Sequence, residues 1–487
     1  MTKPSNVILW TAILICGLGV SIASSQTFTS LHSFSGDDGA NPARGMSLSQ
    51  GADGNLYGTT PLGGGGDSDV CPMGCGVAFK ITPSGMLTDL YIFCSQANCA
   101  DGRLPYAGLV PATDGNFYGV TDAGGGPGDN GTVYKITPSG KLTTLYTFCA
   151  QPNCRDGSAP QSLLLGVDGS FYGTTAAGGA NNFGTVFKIS RTGTLTTLYN
   201  FCAQAGCMDG ENPGGLVQAS NGNFYGTTTA GGSSAQGTIF KVTRAGVLTT
   251  LFSFDLTDNG NPYYSLIQGI DGNFYGTSYG GGANNGGTIF KMTPAGTVTT
   301  IYSFCSEQRC DDGENPYAPL VQATDGDFYG TTYRGGAQGG GAGTIFKLTT
   351  QGSLTTLYNF CSTFNCDDGA SPAGGIVQDT NGTLYGSTQL GGNSLPGVGT
   401  LFSLSVGLGP SVKALPPAGE VGTGVGILGS DLTGATSVTF NGTLAQFKLR
   451  SPTLIVTDVP TGASTGQIKV KLQGRTLSSI VPFYVLR

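Results

Sequence analysis

Along most of this chain, short runs of β-branched and aromatic residues alternate with Gly-rich gaps, and the same order of runs returns again and again. Residues 320–360 show the unit: LVQATDGDFYGTTYRGG, a Gly-rich gap, then GTIFKLTTQGSLTTLYNF. Four short strands are predicted from it. The first two are joined by Asp-Gly or Asn-Gly (Asp114-Gly115, Asn221-Gly222, Asp325-Gly326), whose tolerance of positive φ suits a two-residue hairpin turn. A Gly-containing turn such as Pro138-Ser139-Gly140 joins the last two. Each unit is thus expected to be a four-stranded antiparallel meander.

A Phe/Leu-Tyr-Gly signature marks every copy, with its Tyr at Tyr57, Tyr118, Tyr172, Tyr225, Tyr275, Tyr329 and Tyr385, in steps of 50 to 61 residues. A period of that length means an array. Adjacent apolar residues (Ile345 and Phe346, Phe328 and Tyr329) make each sheet apolar on both faces, so it must be sandwiched between copies of itself. Radial packing of seven sheets achieves this, and predicts an all-β chain with a seven-bladed β-propeller over residues 27–407. The last unit stops after its third strand, GTLFSLS at 399–405, while TFTSLHSF at 27–34 reads like a fourth strand. The N-terminal strand is expected to complete the last blade and close the ring.

From Gly409 the repeat gives way to short strands separated by Gly/Pro turns, which predict a small immunoglobulin-like β-sandwich over residues 410–487. This segment resembles the IPT/TIG family through a Pro-x2-Gly run ending at Gly419, Gly429-Ser-Asp-Leu, Ala435-Thr-Ser-Val-Thr-Phe-Asn-Gly, Val459-Pro460 and Thr465-Gly466. Upstream, the array resembles the bacterial GloVer-type (choice-of-anchor) tandem-repeat family. That resemblance implies an exported bacterial propeller and brings no catalytic residues with it. The chain departs from the family in lacking an obvious anchor.

Composition narrows the function. Gly is 84 of 487 residues and charged residues are only 10%, as an array of tight turns requires. Residues 1–25 carry Lys3, an apolar stretch from Val7 to Ile22 and the small residues Ala23-Ser24-Ser25, which read as a secretory signal peptide. The mature protein is expected to be secreted, extracellular or periplasmic, monomeric and without a membrane span. Asp and Glu exceed Lys and Arg by seven and no basic run exists, which argues against nucleic acid.

Cysteine usage fits export. The pairs Cys71/Cys75, Cys94/Cys99, Cys149/Cys154, Cys202/Cys207, Cys305/Cys310 and Cys361/Cys366 read as local disulfides. Zinc is disfavoured because only His32 could supply imidazole. Loops that carry a pair run nine positions from the strand-end Phe to the following Gly (Phe93 to Gly102), whereas the two without run five and six (Phe34 to Gly39, Phe254 to Gly260).

Two motif matches carry no chemistry here. Gly276-Thr-Ser278-Tyr-Gly280 lacks a strand-to-helix elbow, and Gly424-Val-Gly426-Ile-Leu-Gly429 lacks a following βαβ unit. His32 stands where other units have Tyr91, Tyr146, Tyr199 and Tyr302, so it reads as a packed strand residue. The recurrent Lys of the third strand (Lys135, Lys188, Lys241, Lys291, Lys347) reads as structural. Asp38, Asp101, Asp156, Asp209, Asp312 and Asp368 recur once per loop. They would either ring a channel mouth and hold Ca²⁺ or cap their own turns, the favoured reading.

The ligand site is expected where repeats differ, on the face shared by the long loops. Tyr106, Tyr263 and Tyr317 follow the loop Pro where sister units carry small residues, and only the fifth and sixth units carry Tyr after strand two, at Tyr279 and Tyr333. Tyr106 aside, these exceptions gather with Tyr264 and Arg334 on two neighbouring units, beside Asp311 and Asp312. Such rings either meet a ligand or fill space between sheets. The expected function is an exported, non-catalytic binding or adhesion protein for a glycan or an extracellular protein, without a cofactor. The alternatives are a polysaccharide lyase or glycoside hydrolase, and a structural surface or matrix protein.

Overall fold

A computed structural model describes residues 26–42, 47–65, 69–255, 262, 265–337, 341–394 and 397–486. The signal-peptide reading and the residues Tyr263 and Tyr264 therefore lie outside the described residues. The chain is all-β and propeller-like, with only five 3₁₀ turns of three residues each among the described residues. None of its described helices is long and apolar enough to cross a membrane.

Within residues 27–405 the described strands form seven four-stranded antiparallel sheets. Six are meanders in chain order, spanning 49–92, 110–147, 158–200, 211–253, 267–303 and 321–359. The seventh combines Val377–Gln378, Leu384–Thr388 and Thr400–Ser405 with Thr27–Ser33, which pairs from Thr27↔Ser405 to Ser33↔Thr400. Second strands such as Phe328–Thr332 are wholly buried, and third strands such as Thr344–Leu348 are buried at all but the Lys. Two-sided burial follows from the paired apolar residues noted in the sequence.

Three parts of the signature explain one another. The Tyr ring stacks on the Phe of the next sheet, as in Tyr57 on Phe117 at 4.0 Å and Tyr172 on Phe224 at 4.2 Å. Its hydroxyl donates back to the turn Asp four residues earlier, Tyr118 Oη to Asp114 Oδ2 at 2.9 Å and Tyr329 Oη to Asp325 Oδ2 at 2.8 Å. The following Gly leaves room for the third-strand Phe, since a Cβ on Gly58 would stand 2.7 Å from Phe79 Cζ. The recurrent Lys completes the group: Lys188, Lys291 and Lys347 pair with Asp168, Asp271 and Asp325 and lie over the signature rings.

The turn itself corrects the sequence expectation. Ala112 N and O bond to Asn116 O and Gly115 N, and only Gly115 has positive φ, so the loop has three residues, with glycine in the left-handed position. Asp114 is not left-handed, and its carboxylate accepts from Asn116 N and Tyr118 Oη.

Five of the seven innermost strands end in Gln, and each carboxamide reaches the turn of the preceding sheet. Gln218, Gln268, Gln322 and Gln378 accept from Val167 N, Ser220 N, Ile270 N and Thr324 N at 2.9–3.0 Å. Gln50 of the first sheet donates to Thr380 of the seventh at 2.7 Å. Phe34, Leu56, Phe79, Tyr385 and Leu401 share one cluster, so these two sheets also pack core to core.

The C-terminal module is a two-sheet sandwich around Ile427, Val438, Phe440, Ile455, Ile468 and Val470. It is docked on the array at the hairpin turns of the first and seventh sheets. Ser411 N and Ser430 Oγ donate to Thr380 O at 2.9 and 3.1 Å, and Ser451 and Thr453 hydroxyls donate to Ala52 O.

Candidate functional site

Five of the loops leading into a new sheet are built by a cysteine pair, and a sixth pair, Cys71/Cys75, lies between the second and third strands of the first sheet. All six expected pairs are bonded: Cys71–Cys75 at a sequence separation of 4, and Cys94–Cys99, Cys149–Cys154, Cys202–Cys207, Cys305–Cys310 and Cys361–Cys366 at 5. In the five wider links the second cysteine, at Cys99, Cys154, Cys207, Cys310 and Cys366, ends a three-residue 3₁₀ turn, which loop length alone does not foretell. Cys99 is buried and the other four are half-buried.

Both sulfur-bearing residues of each such link are left-handed. The first members, Cys94, Cys149, Cys202, Cys305 and Cys361, have φ of 56° to 62°, and the second members Cys99, Cys154, Cys207, Cys310 and Cys366 have φ of 48° to 57°. That conformation costs a non-glycine residue roughly 1 kcal/mol or more, so the covalent link must hold it. Peptide mapping without reduction is expected to return six local links. Replacing both Cys305 and Cys310 by Ser should cost about 2 kcal/mol in a denaturation measurement, given so short a loop.

The loop Asp lies beneath this link. Asp312 is 1% exposed. Its carboxylate accepts from Ser306 N, Ser306 Oγ and Glu307 N at 2.8–3.2 Å and from Tyr302 Oη at 2.9 Å. Asp101, Asp156 and Asp209 repeat the arrangement and are fully buried. At Asp368 burial alone would raise the pKa, but bonds from Tyr358, Ser362 and Thr363 outweigh it and hold the carboxyl below its usual range. His32 takes the place of that Tyr in the first loop, its Nε2 2.7 Å from Asp38 Oδ2.

These carboxylates therefore cap their own turns. Among the described residues, the one group of three potential metal ligands is Cys71, Cys75 and Cys94, and all three sulfurs are in disulfides. Asp312 drops from the ligand patch, because neither carboxylate oxygen is open to a ligand.

The tyrosines do come together. Tyr317 lies between Tyr279 and Tyr333, edge-on to the first with centroids 5.4 Å apart and tilted to the second at 5.8 Å. All three are half-buried. Asn315, left-handed at φ 56°, fixes the patch by donating from Nδ2 to Tyr279 O at 2.8 Å. Tyr333 Oη donates to Gln389 Oε1 at 3.1 Å, extending the line of polar and aromatic groups to the seventh sheet. Arg334 is exposed on the same rim, its backbone paired both ways with Glu314. Asp311, half-buried, follows the short 3₁₀ turn Gln308–Cys310 as its cap.

Asn315 and Gln389 are the residues sequence reasoning passed over. Gln389 had a readable signal, since it occupies in the seventh unit the position of Tyr279 and Tyr333. Asn315 also had one, since Asn precedes the loop Pro at Asn41, Asn212, Asn261 and Asn315, but its bond to Tyr279 O could not be read from that pattern.

The model of the Gloeobacter/Verrucomicrobia repeat matches residues 17–152, 150–310 and 260–444, and that of the IPT/TIG domain matches residues 410–485. No curated protein sequence matches the chain. Similar solved structures include the extracellular domain of a hybrid two-component system from B. thetaiotaomicron, at 11% identity and TM-score 0.49, covering 92% of this chain and 54% of that one. A fungal alcohol oxidase of the AA5 family in complex with copper is 12% identical, with TM-score 0.47 and 95% and 99% coverage. The PQQ-bound aldose sugar dehydrogenase from Streptomyces coelicolor is 12% identical, with TM-score 0.39 and 78% and 98% coverage. Likeness at these levels says nothing about chemistry.

Proposed function

Since the chain belongs to the Gloeobacter/Verrucomicrobia repeat family and ends in an IPT/TIG domain, we propose that it is an exported, non-catalytic binding or adhesion protein whose ligand is a glycan. On this reading residues 27–407 are a seven-bladed propeller closed by the strand Thr27–Ser33, and the glycan lies across the fifth and sixth blades. The observation that carries the proposal is the contact series Tyr279, Tyr317, Tyr333. Ring faces beside amide and carboxylate groups suit a sugar, whose C–H faces stack while its hydroxyls bond at the edge. Sister sheets hold Ala176 and Thr229 at the position of Tyr279, so the fold does not require a ring there.

The test is the double variant Tyr279→Ala, Tyr333→Thr, assayed on a glycan array and by melting. Each lost ring removes roughly 1 kcal/mol of stacking, so retention of the recognised glycan should weaken by about thirtyfold with little change in Tm. A variant that unfolds readily while its folded fraction binds as before would make these rings packing between sheets. Cleavage of the retained glycan would make the protein an enzyme.

A further inference from the structure

The array's other face holds a second place where the units depart from their own pattern. Two innermost strands lack the Gln that links each sheet to its predecessor: Pro111 and Leu165 stand there in the second and third sheets. A cleft of about 920 Å³ opens against the C-terminal module at this point. Leu415, Pro416, Leu454 and Val456 of the module face Pro111 and Leu165 across it. Phe447 and the edge of Phe117 join this lining, and an apolar surface shared by aliphatic and aromatic side chains suits a hydrocarbon chain.

Its array-side rim is basic. The turn between third and fourth strands carries Pro83, Pro138, Pro294 or Thr350 in four units, but Arg191 and Arg244 in the third and fourth, and both arginines line the cleft. Arg191 is held in position, Nε donating to Gly169 O at 3.1 Å and Nη2 to Thr113 Oγ1 at 2.8 Å. Neither guanidinium is ion-paired among the described residues. Of the acids in the cleft, Asp168 is already held by Lys188, whereas Glu420 and Asp458 on the module wall are offset only by Lys448. Glu420 and Asp458 disfavour an anion at the module wall; on the array side Asp114 shares the charge of Arg191, while Arg244 has no carboxylate ion pair among the described residues.

We propose that this cleft binds an anionic amphiphile, its aliphatic chain between Leu165 and the module and its carboxylate or phosphate at Arg191 and Arg244. The site is separate from the tyrosine patch and stands whether or not that patch binds glycan.

The experiment is displacement of dansyl-undecanoate from the purified protein. Palmitate should displace the probe, and hexadecanol about tenfold less well, for want of the charge. Arg244→Pro, the residue of the fifth unit, should weaken palmitate about tenfold and leave hexadecanol unchanged. Leu165→Gln, the residue of five sister sheets, should weaken both while preserving Tm. Retention on phosphatidylglycerol vesicles that Leu165→Gln abolishes would mark a lipid as the source of the chain, and displacement in free solution alone a free fatty acid. No displacement by palmitate, equal affinity for hexadecanol, or stronger competition by trigalacturonate would each overturn the proposal.

Discussion

Removal of residues 26–36 is expected to convert the folded array into an aggregating one. Phe28 stacks on Tyr358 at 3.8 Å and packs against Phe360 and Phe402, while Phe34 lies edge-on to Phe79 at 5.6 Å. Losing the buried Phe34 ring costs about 3–5 kcal/mol, a large part of the stability of a typical domain, and the half-buried Phe28 adds to it. The deletion also bares the full length of Thr400–Ser405, whose unpaired backbone is a template for other chains. Size-exclusion chromatography and calorimetry decide the matter. A truncated protein that elutes and melts like the intact one would show that the sheets hold together without this strand.

The second large effect concerns Asp379. It follows the innermost-strand Gln of the seventh sheet, where other units have Gly51, Ala112, Gly166, Ala219, Gly269 and Ala323. It is 3% exposed, its Oδ1 has no hydrogen-bond partner among the described residues, and burial pushes its pKa up to about 6. Backbone donors at Thr380 and Asn381 and the charge of Lys413 only partly oppose that rise. A carboxyl whose folded pKa is raised contributes stability below its unfolded pKa of 3.8 and loses it as pH climbs through 6. Asp379→Ala should therefore raise stability by roughly 2–3 kcal/mol at pH 8, with the gain nearly gone at pH 4. Urea titrations at the two pH values measure it. Equal gains at both, or a loss at pH 8, would show that the ionised carboxylate is well compensated at the junction.

Much of the fold was legible because the seven units repeat one solution, so each strand was read several times over. The Tyr-to-Asp bond behind Phe-Tyr-Gly and Asp-Gly was not, since it joins side chains across a turn whose shape had been misjudged. The cysteine pairing was legible from spacing, but the 3₁₀ turns that end at Cys99, Cys154, Cys207, Cys310 and Cys366 were not, because they depend on left-handed backbone at non-glycine residues. Among site residues, Tyr279, Tyr317 and Tyr333 could be found by their departure from sister units. Asp312 misled for the opposite reason: it conforms to the repeat, and conforming residues serve the loop. The docking of the C-terminal module escaped notice because single Ser and Thr hydroxyls on Ala52 O and Thr380 O leave no pattern in a sequence.

The register of the strand Thr27–Ser33 bears on mechanics as well as stability. Thr27 faces Ser405 directly, so the chain enters and leaves the array at the same end of one strand pair. A pull between the N-terminus and the C-terminal module does not load that ladder in shear, where its bonds would resist together. It opens the pair from that end, one bond after another, as a zipper opens. If the chain were tethered at one end and a partner drew on the other, this joint would be the first part of the array to yield, with the disulfide-linked loops of the remaining sheets still intact.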